Sequence, residues 1–495
     1  MDKKFSIFCY ISFVIAIIAT TLFYAPGWGL MDDSQNLNYV VDVKNPIDAL
    51  NVAWENIMGD IRAGGINRPI YNVWLATMYP IFKYWPTGFY ILLAILNMLA
   101  LLLWGIVFTK IVRVRPENRL LTIFLYPLSF FIFTPFWNIF TYLSLQEKFV
   151  VWFVPASYYF FIKTYEKDDN KSYVYAFLFM ILALMGKPTA LFISITYIGF
   201  SVLDLVIYRI NQKQSIKIFI SNAILAGAYL VFTFMVQLRG GYVSRYKEGL
   251  SVSTLFENIL GGSIVIKGLL VIGLIGLIAG LILPKMKKQQ VTPYVILIPM
   301  GLLLYIGLLA PWGFRSYLLC ALAPLLFGTL FPLFNWIIER NVILKRTITA
   351  SLAILVAFVF VMIISPSISR MGDINQVIQY MKREATTNES NQYFLPPPYS
   401  EPAFALKYQT GEKIEYLDSG ILSKDQLNSQ GNNYLLLNNL APTVLFSDVR
   451  TEKDVFSNKT WRIIKVVPEE GTEAEYTIKF EKNFMKQFLL KLRDS

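Results

Sequence analysis

The sequence predicts an α-helical polytopic membrane protein, with about eleven transmembrane helices and a small C-terminal extracytoplasmic α/β domain. Three observations predict it. The chain of 495 residues is 55% hydrophobic, and its long apolar runs carry almost no charge. Its formal charge of +12 is concentrated in short stretches between those runs, as the positive-inside rule requires of cytoplasmic loops. Past residue 365 the apolar runs shorten and turn residues appear, as in PPPYSEP, Gly411, Gly420 and Gly431.

Taken in order, the predicted spans are 5–25, 87–109, 120–136, 147–163, 173–186, 189–208, 217–238, 263–283, 291–310, 316–336 and 347–365. Each is close to the length that crosses ~30 Å of hydrocarbon. The first follows MDKK and has no A-x-A site after it, so it reads as an uncleaved span rather than a signal peptide. Lys3, Lys4, Lys110, Arg113, Arg115, Arg119, Lys163, Lys167, Lys171, Arg209, Lys213, Lys217, Lys285, Lys287, Lys288, Arg340, Lys345 and Arg346 all fall on one side of this arrangement. The charge rule makes that side the cytoplasm. Trp28, Trp85, Trp137 and Trp312 fall at the outer ends, as an aromatic belt would. The two spans flanking Gly186-Lys187-Pro188 are short and read equally well as broken helices.

The domains are therefore a transmembrane catalytic domain, 1–365, with a long outer first loop at 26–86, and an extracytoplasmic domain, 366–495. In the first loop the segment 69–82 is too short to span and follows an amphipathic stretch, so both are expected as interfacial helices. In the tail, 392–395, 413–417, 433–438, 461–467 and 474–481 read as strands. Segments 374–386 and 423–429 have helical spacing, and 483–493 reads as a final amphipathic helix.

There is no histidine, and Cys9 and Cys320 lie inside predicted spans. A base must then be a carboxylate. If a metal is used, oxygen ligands favour Mg²⁺ or Mn²⁺. Asp32 and Asp33, just past the first span, are read in two ways: as a helix cap, or as a general base or metal ligand at the outer face. Glu147, with Lys148 beside it, reads either as a surface ion pair or snorkelled helix end, or as a second acid facing the first loop. With Asp32 and Asp33 it would complete a carboxylate set for a divalent cation.

Arg62, Arg68, Lys187, Arg245 and Arg315 are outer-side cations. Each alone reads as snorkelling to lipid headgroups. Together they suit a lipid phosphate, which arginine holds bidentately. Arg68, Lys187 and Arg315 sit beside proline or aromatic residues at helix ends, where their positions would be fixed. Gly273, Gly276 and Gly280 have the spacing of close helix packing, and Asp168-Asp169 reads as a solvated turn.

The cytoplasmic loops are too short to build a nucleotide-binding domain, and the candidate acids face outward. An activated sugar used there should arrive on a lipid. The Asp pair after the first span (MDDS), amphipathic helices in a long first outer loop, an acid in the second outer loop (Glu147) and a soluble tail together resemble the GT-C superfamily of polytopic glycosyltransferases. The resemblance covers the architecture of the whole chain, though its motif is a few residues. It implies a polyprenyl-phosphate-sugar donor, a cell-envelope glycan or polymer acceptor, a bacterial plasma membrane, Asp32 or Asp33 as catalytic carboxylate and Glu147 as second acid. No nucleic-acid partner is implied. Two rivals remain open: a lipid-linked glycan polymerase or ligase, and a lipid-linked glycan flippase or transporter.

Overall fold

The computed structural model describes residues 3–27, 43–62, 68–82, 85–141, 143, 145–239, 261, 263–285, 291–310, 319–340, 342–387, 391–395, 413–417, 421–429, 431–438, 443–458 and 461–477. The chain divides into two compact units. One comprises Met1–Thr21 with Tyr39–Pro366, the other Leu22–Asn38 with Ser367–Ser495.

The first unit is helical. Its described elements are α1 (Lys3–Tyr24, whose last turn falls in the second unit), α2 (Pro46–Arg62), α3 (Pro69–Phe82), α4 (Pro86–Ile111), the bent pair α5 (Leu121–Ile132) and α6 (Thr134–Phe140), α7 (Glu147–Lys167), α8 (Asn170–Gly186), α9 (Pro188–Tyr208), α10 (Gln212–Arg239), α11 (Ile264–Lys285), α12 (Pro293–Leu309), α13 (Leu322–Arg340) and α14 (Val342–Val359). Among the described residues, seven helices are long and apolar enough to cross a membrane, or eight if the bent pair counts as one span, against the eleven spans expected.

That bent pair departs from the straight span expected at 120–136. α5 and α6 meet at 107°. The run opens as a π turn and tightens to 3₁₀ turns around Pro127 and Pro135, each of which removes a backbone donor that a straight helix needs. The belt reading also needs correction at Trp137. Its ring is buried and stacked on Phe140, with centroids 5.3 Å apart. Trp85 is exposed, while Trp28 and Trp312 lie outside the described residues.

In the first loop, Asn45 caps α2 by accepting from the backbone N–H groups of Ile47 and Asp48, both at 2.9 Å. Pro46 follows at the first helical position, where its missing donor costs nothing. Ile47, Leu50 and Trp54 point out of the fold while Ala49 and Ala53 point in. This inverted amphipathicity suits a helix bedded in a lipid interface. α3 buries Tyr71, Leu75 and Tyr79, a stripe at four-residue spacing.

The bundle is close-packed through glycine and tied by interhelical hydrogen bonds. A Cβ on Gly273 would meet Leu303, one on Gly276 would meet Thr329 and Pro299, and one on Gly280 would meet the Ile296 backbone. The predicted glycine stripe therefore packs α11 against α12 and α13. Asn97 donates to the Ile139 carbonyl at 2.9 Å and accepts from the Trp152 indole at 2.7 Å, so it links α4, α6 and α7. Asp168-Asp169 is the solvated turn expected between α7 and α8; within it Asp169 caps α8, and Asp168 accepts from Asn211 and Gln214.

The second unit is built on α15 (Ser365–Thr387) and a mixed six-stranded sheet of β1 (Gln392–Leu395), β2 (Lys413–Tyr416), β3 (Ile421–Ser423), β4 (Asn433–Asn438), β5 (Thr443–Ser457) and β6 (Trp461–Thr477). The sheet order is β2-β1-β4-β6-β5-β3. Alternation sends Tyr393, Leu395, Tyr434, Leu436 and Ile463 to the face under Val377 and Met381 of α15, and Phe394, Leu435, Leu437 and Ile464 to the other. The strand reading missed β3 and β5. β5 carries alternating charges and pairs with β6 through three register shifts, so no apolar period marks it. The expected helix at 423–429 is a single 3₁₀ turn, Lys424–Gln426. Residues 478–481 and the helix expected at 483–493 lie outside the described residues. Within this unit Asn375 donates to the Ala25 carbonyl at 2.9 Å, and Gly372 lets the Tyr24 carbonyl approach to where a Cβ would sit 2.3 Å away.

A Cβ on Gly105 would lie 2.4 Å from the Ile123 carbonyl oxygen, whereas one on Gly268 meets nothing within 4 Å. We expect Gly105→Ala to destabilise the detergent-solubilised protein by about 1–3 kcal/mol. Gly268→Ala should be neutral or stabilising by up to about 1 kcal/mol. Thermal melts of the two variants side by side test this, and equal shifts of one sign would defeat the packing argument.

Candidate functional site

α7 and α8 form an antiparallel hairpin of 21 and 17 residues. The nearly equal arms bring the start of α7 level with the end of α8. Glu147 opens α7, and Lys187 follows the last turn of α8. A carboxylate at a helix N-terminus and an ammonium at a C-terminus each sit favourably in the helix dipole. The two side chains meet at 2.6 Å between Oε1 and Nζ, with 2% and 14% of their surfaces exposed. Gly186 permits the approach: a Cβ there would fall 2.6 Å from the Phe149 ring. Lys187 is extended (φ −147°, ψ 118°) and its N–H donates to Ala183, and Pro188 starts a new turn. The chain thus breaks where the cation is displayed.

The surroundings are polar. Tyr305 of α12 and Cys320 lie within the electrostatic reach of Glu147, and Thr189 sits beside the Tyr305 hydroxyl. Glu147 Oε1, Thr189 Oγ1 and the Tyr305 hydroxyl are buried without an aligned hydrogen bond among the described residues. Glu147 therefore meets Lys187 as a charge contact, and the Thr189 and Tyr305 hydroxyls lie against one another beside it, a polar cluster inside an apolar bundle.

Lys148 corrects the surface reading of its dipeptide. Neither residue reaches solvent: Glu147 turns to Lys187, and Lys148 is fully buried. Its ammonium donates to the Leu143 carbonyl. It lies over Trp74 at 5.0 Å, with Phe149, Trp152 and Phe89 at 5.8–6.0 Å. This is a cation–π cage. Its members are scattered from residue 74 to 152, so no local spacing announces it.

Arg68 occupies a second cluster, at the N-terminal end of α3, about 9 Å along that helix from Trp74. Its guanidinium lies over the Tyr71 ring at 5.3 Å, within the field of Asp60 and of Tyr229 on α10. Asp60 accepts from Asn72 at 3.3 Å. Sequence reading passed over Asp60, which carries no motif and becomes notable only when α2 folds back on α3. Burial pushes its carboxyl above the usual aspartate range, with Arg68 and the Asn72 bond pulling the other way. Arg62 ends α2 beside a surface hollow of about 420 Å³ formed with Trp54, Glu55 and Met58.

Of the sequence-predicted residues, then, Glu147 and Lys187 are brought together, while Arg68 and Arg62 sit on the α2–α3 hairpin. Asp32, Asp33, Arg245 and Arg315 lie outside the described residues. No group of three or more metal-ligating side chains occurs among the described residues. Glu147 Oε1 already meets an ammonium, and Asp32 and Asp33, the other members of the expected carboxylate set, are not among the described residues. No family model matches the chain, and no curated protein resembles it significantly.

Removing one partner of a buried ion pair strands the other charge, at a cost of about 3–5 kcal/mol. Lys187→Met should therefore lower stability by about that amount. The double variant Glu147→Gln with Lys187→Met should recover most of it. Additive losses in a double-mutant cycle would show that the pair is not coupled.

A raised Asp60 pKa means that the folded state binds its proton more tightly than the unfolded chain. Its charge therefore opposes folding once pH rises through the window between the ordinary and the raised value, and has no effect below it. Asp60→Asn should raise the melting temperature at about pH 7 and leave it unchanged at about pH 3. A loss of stability at neutral pH would mean that attraction to Arg68 outweighs burial.

Proposed function

We propose that this chain is a membrane glycosyltransferase of GT-C type. It would move a sugar from a polyprenyl-phosphate donor to a cell-envelope glycan or polymer on the outer face of a bacterial plasma membrane. The observation that carries the reading is the buried Glu147–Lys187 pair with the hydroxyls of Thr189 and Tyr305 beside it. Such a polar cluster would offer donors and acceptors to a sugar while the surrounding helices offer apolar surface to a prenyl chain. The lipid-facing α2 and the cation-bearing start of α3 add a shelf at which a lipid phosphate can dock.

On this reading the chain crosses about eleven times. The seven long helices and the bent pair are joined by α7, α8 and α12. The N-terminus is cytoplasmic and the sheet unit extracytoplasmic. Asp33 or Asp32 takes the proton from the acceptor hydroxyl. The oxygen attacks the anomeric carbon, and the bond from that carbon to the donor phosphate oxygen breaks. Arg68, with Arg315, Arg245 and Arg62, offsets the charge of the departing lipid phosphate. Lys187 joins them only by exchanging Glu147 for phosphate, so Glu147 tunes the cation as well as the polar cluster.

A second reading is favoured by one observation. Charged groups buried at a helix break, as at Gly186-Lys187-Pro188, are also the usual substrate site of a carrier. A lipid-linked glycan flippase would use the same pair without chemistry.

Purified protein given a panel of polyprenyl-phosphate sugars and a cell-envelope acceptor separates these. We expect transfer by the wild type and at least a 100-fold loss in Asp33→Asn or Asp32→Asn, with melting temperature preserved. Transfer undiminished in both variants would remove the acidic pair from the mechanism. Movement of lipid-linked sugar across vesicles without turnover would favour the carrier.

A further inference from the structure

Glu147 and Glu166 stand at opposite ends of α7, about 28 Å apart along the helix. That is close to the thickness of a bilayer core. Around Glu166 lies a pocket of about 500 Å³ whose walls include Lys110, Arg113, Arg119, Thr292 and Tyr294. We propose that this pocket binds the phosphate headgroup of an anionic phospholipid in the leaflet opposite the Glu147–Lys187 pair, the cytoplasmic one by the charge rule. The proposal does not depend on the enzymatic reading.

The pocket is built rather than incidental. Its floor is the junction of α4 and α12. Val112 and Val291 form an antiparallel bridge, and Thr292 donates to the Ile111 carbonyl from its backbone at 3.0 Å and from its hydroxyl at 2.8 Å. The loop carrying Arg113 and Arg119 is anchored on its far side. There Lys345 donates to Asn118, and Arg115 pairs with Glu339 at 3.7 Å. The Tyr294 ring is held against Phe200, with centroids 5.7 Å apart.

Three cations share this space with one carboxylate. Glu166 pairs with Lys110 at 2.7 Å, leaving both about one-third exposed. By the charges that line it the pocket is positive, which a phosphate would offset, and arginine forks match its oxygens bidentately. A free anion would satisfy that charge equally well. The aliphatic rim argues for a lipid: Ile210 lines the pocket itself and is exposed, as are Val206 and Ile207 on the adjoining end of α9. Together they give an acyl chain a track beside the cations. Basic pockets between helices on the cytoplasmic side are the sites such headgroups occupy.

The test titrates the full-length protein in detergent with phosphatidylglycerol, phosphatidylcholine or inorganic phosphate, read by native mass spectrometry and by thermal shift. Wild type should prefer phosphatidylglycerol to phosphatidylcholine by at least about tenfold. Each basic residue near the surface contributes about a factor of five, so Arg113→Gln with Arg119→Gln should weaken phosphatidylglycerol binding roughly thirtyfold. Arg113→Lys with Arg119→Lys keeps the charge without the fork and should fall between. Lys285→Gln with Arg346→Gln removes equal charge from exposed positions outside the lining and should leave the preference intact. Absence of a preference in wild type overturns the proposal even if a variant fails to fold. So does a preference that survives Arg113→Gln with Arg119→Gln, or one lost equally in the control pair. Inorganic phosphate displacing the lipid at equal concentration overturns the lipid assignment.

Discussion

A carboxylate and an ammonium buried side by side in an apolar bundle impose a strict condition: neither is tolerable without the other. Each loses the water that would solvate it, and only close approach offsets that loss. Glu147 and Lys187 meet the condition through helix ends of opposite polarity. The nearly equal arms of the α7–α8 hairpin, the missing Cβ at Gly186 and the break before Pro188 all serve the same contact. The Lys148 cage fixes the same end of α7 from the other side, so the first two residues of the helix are held by separate means.

Much of this fold was legible because a bilayer leaves so few solutions. Apolar length placed a helix, or at 120–136 a bent pair, in each predicted stretch, but among the described residues only seven, or eight with the bent pair, are long and apolar enough to cross rather than the eleven expected; strand alternation located most of the sheet unit. What escaped has identifiable causes. The 107° bend between α5 and α6 comes from local turn geometry around two prolines inside a run that hydropathy reads as continuous. β5 was invisible because its charges alternate with apolar residues only weakly. The site was legible as residue types and not as partners. Lys187 was read as a phosphate ligand, but pairing it with Glu147 required knowing that two helix ends coincide. Asp60 and the cage around Lys148 depend on contacts across long sequence separations, which no local spacing encodes.

Charge is distributed over the helical unit by purpose. The Glu147–Lys187 pair is nearly neutral in sum and shielded, which suits a neutral, hydroxyl-rich guest. The Arg68 cluster and the Lys110–Arg119 pocket lie nearer to water and keep a positive excess, which suits phosphate. On the proposed reading, the lipid-phosphate sugar donor needs these two kinds of environment within reach of each other. α3 links the first to the second, with Arg68 at one end and Trp74 against the Lys148 cage in its middle.

The hold of Asn375 on the Ala25 carbonyl has a consequence in time. The two residues are 350 positions apart in sequence. A ribosome adding about 5–20 residues per second needs tens of seconds to pass from one to the other. Through that interval the end of α1 and Ala25 have been made but lack their clasp. The N-terminal helices can insert and pack one after another, yet this stretch reaches its final setting only after α15 has left the ribosome. The close of α1 is thus set only once the second unit has begun to form.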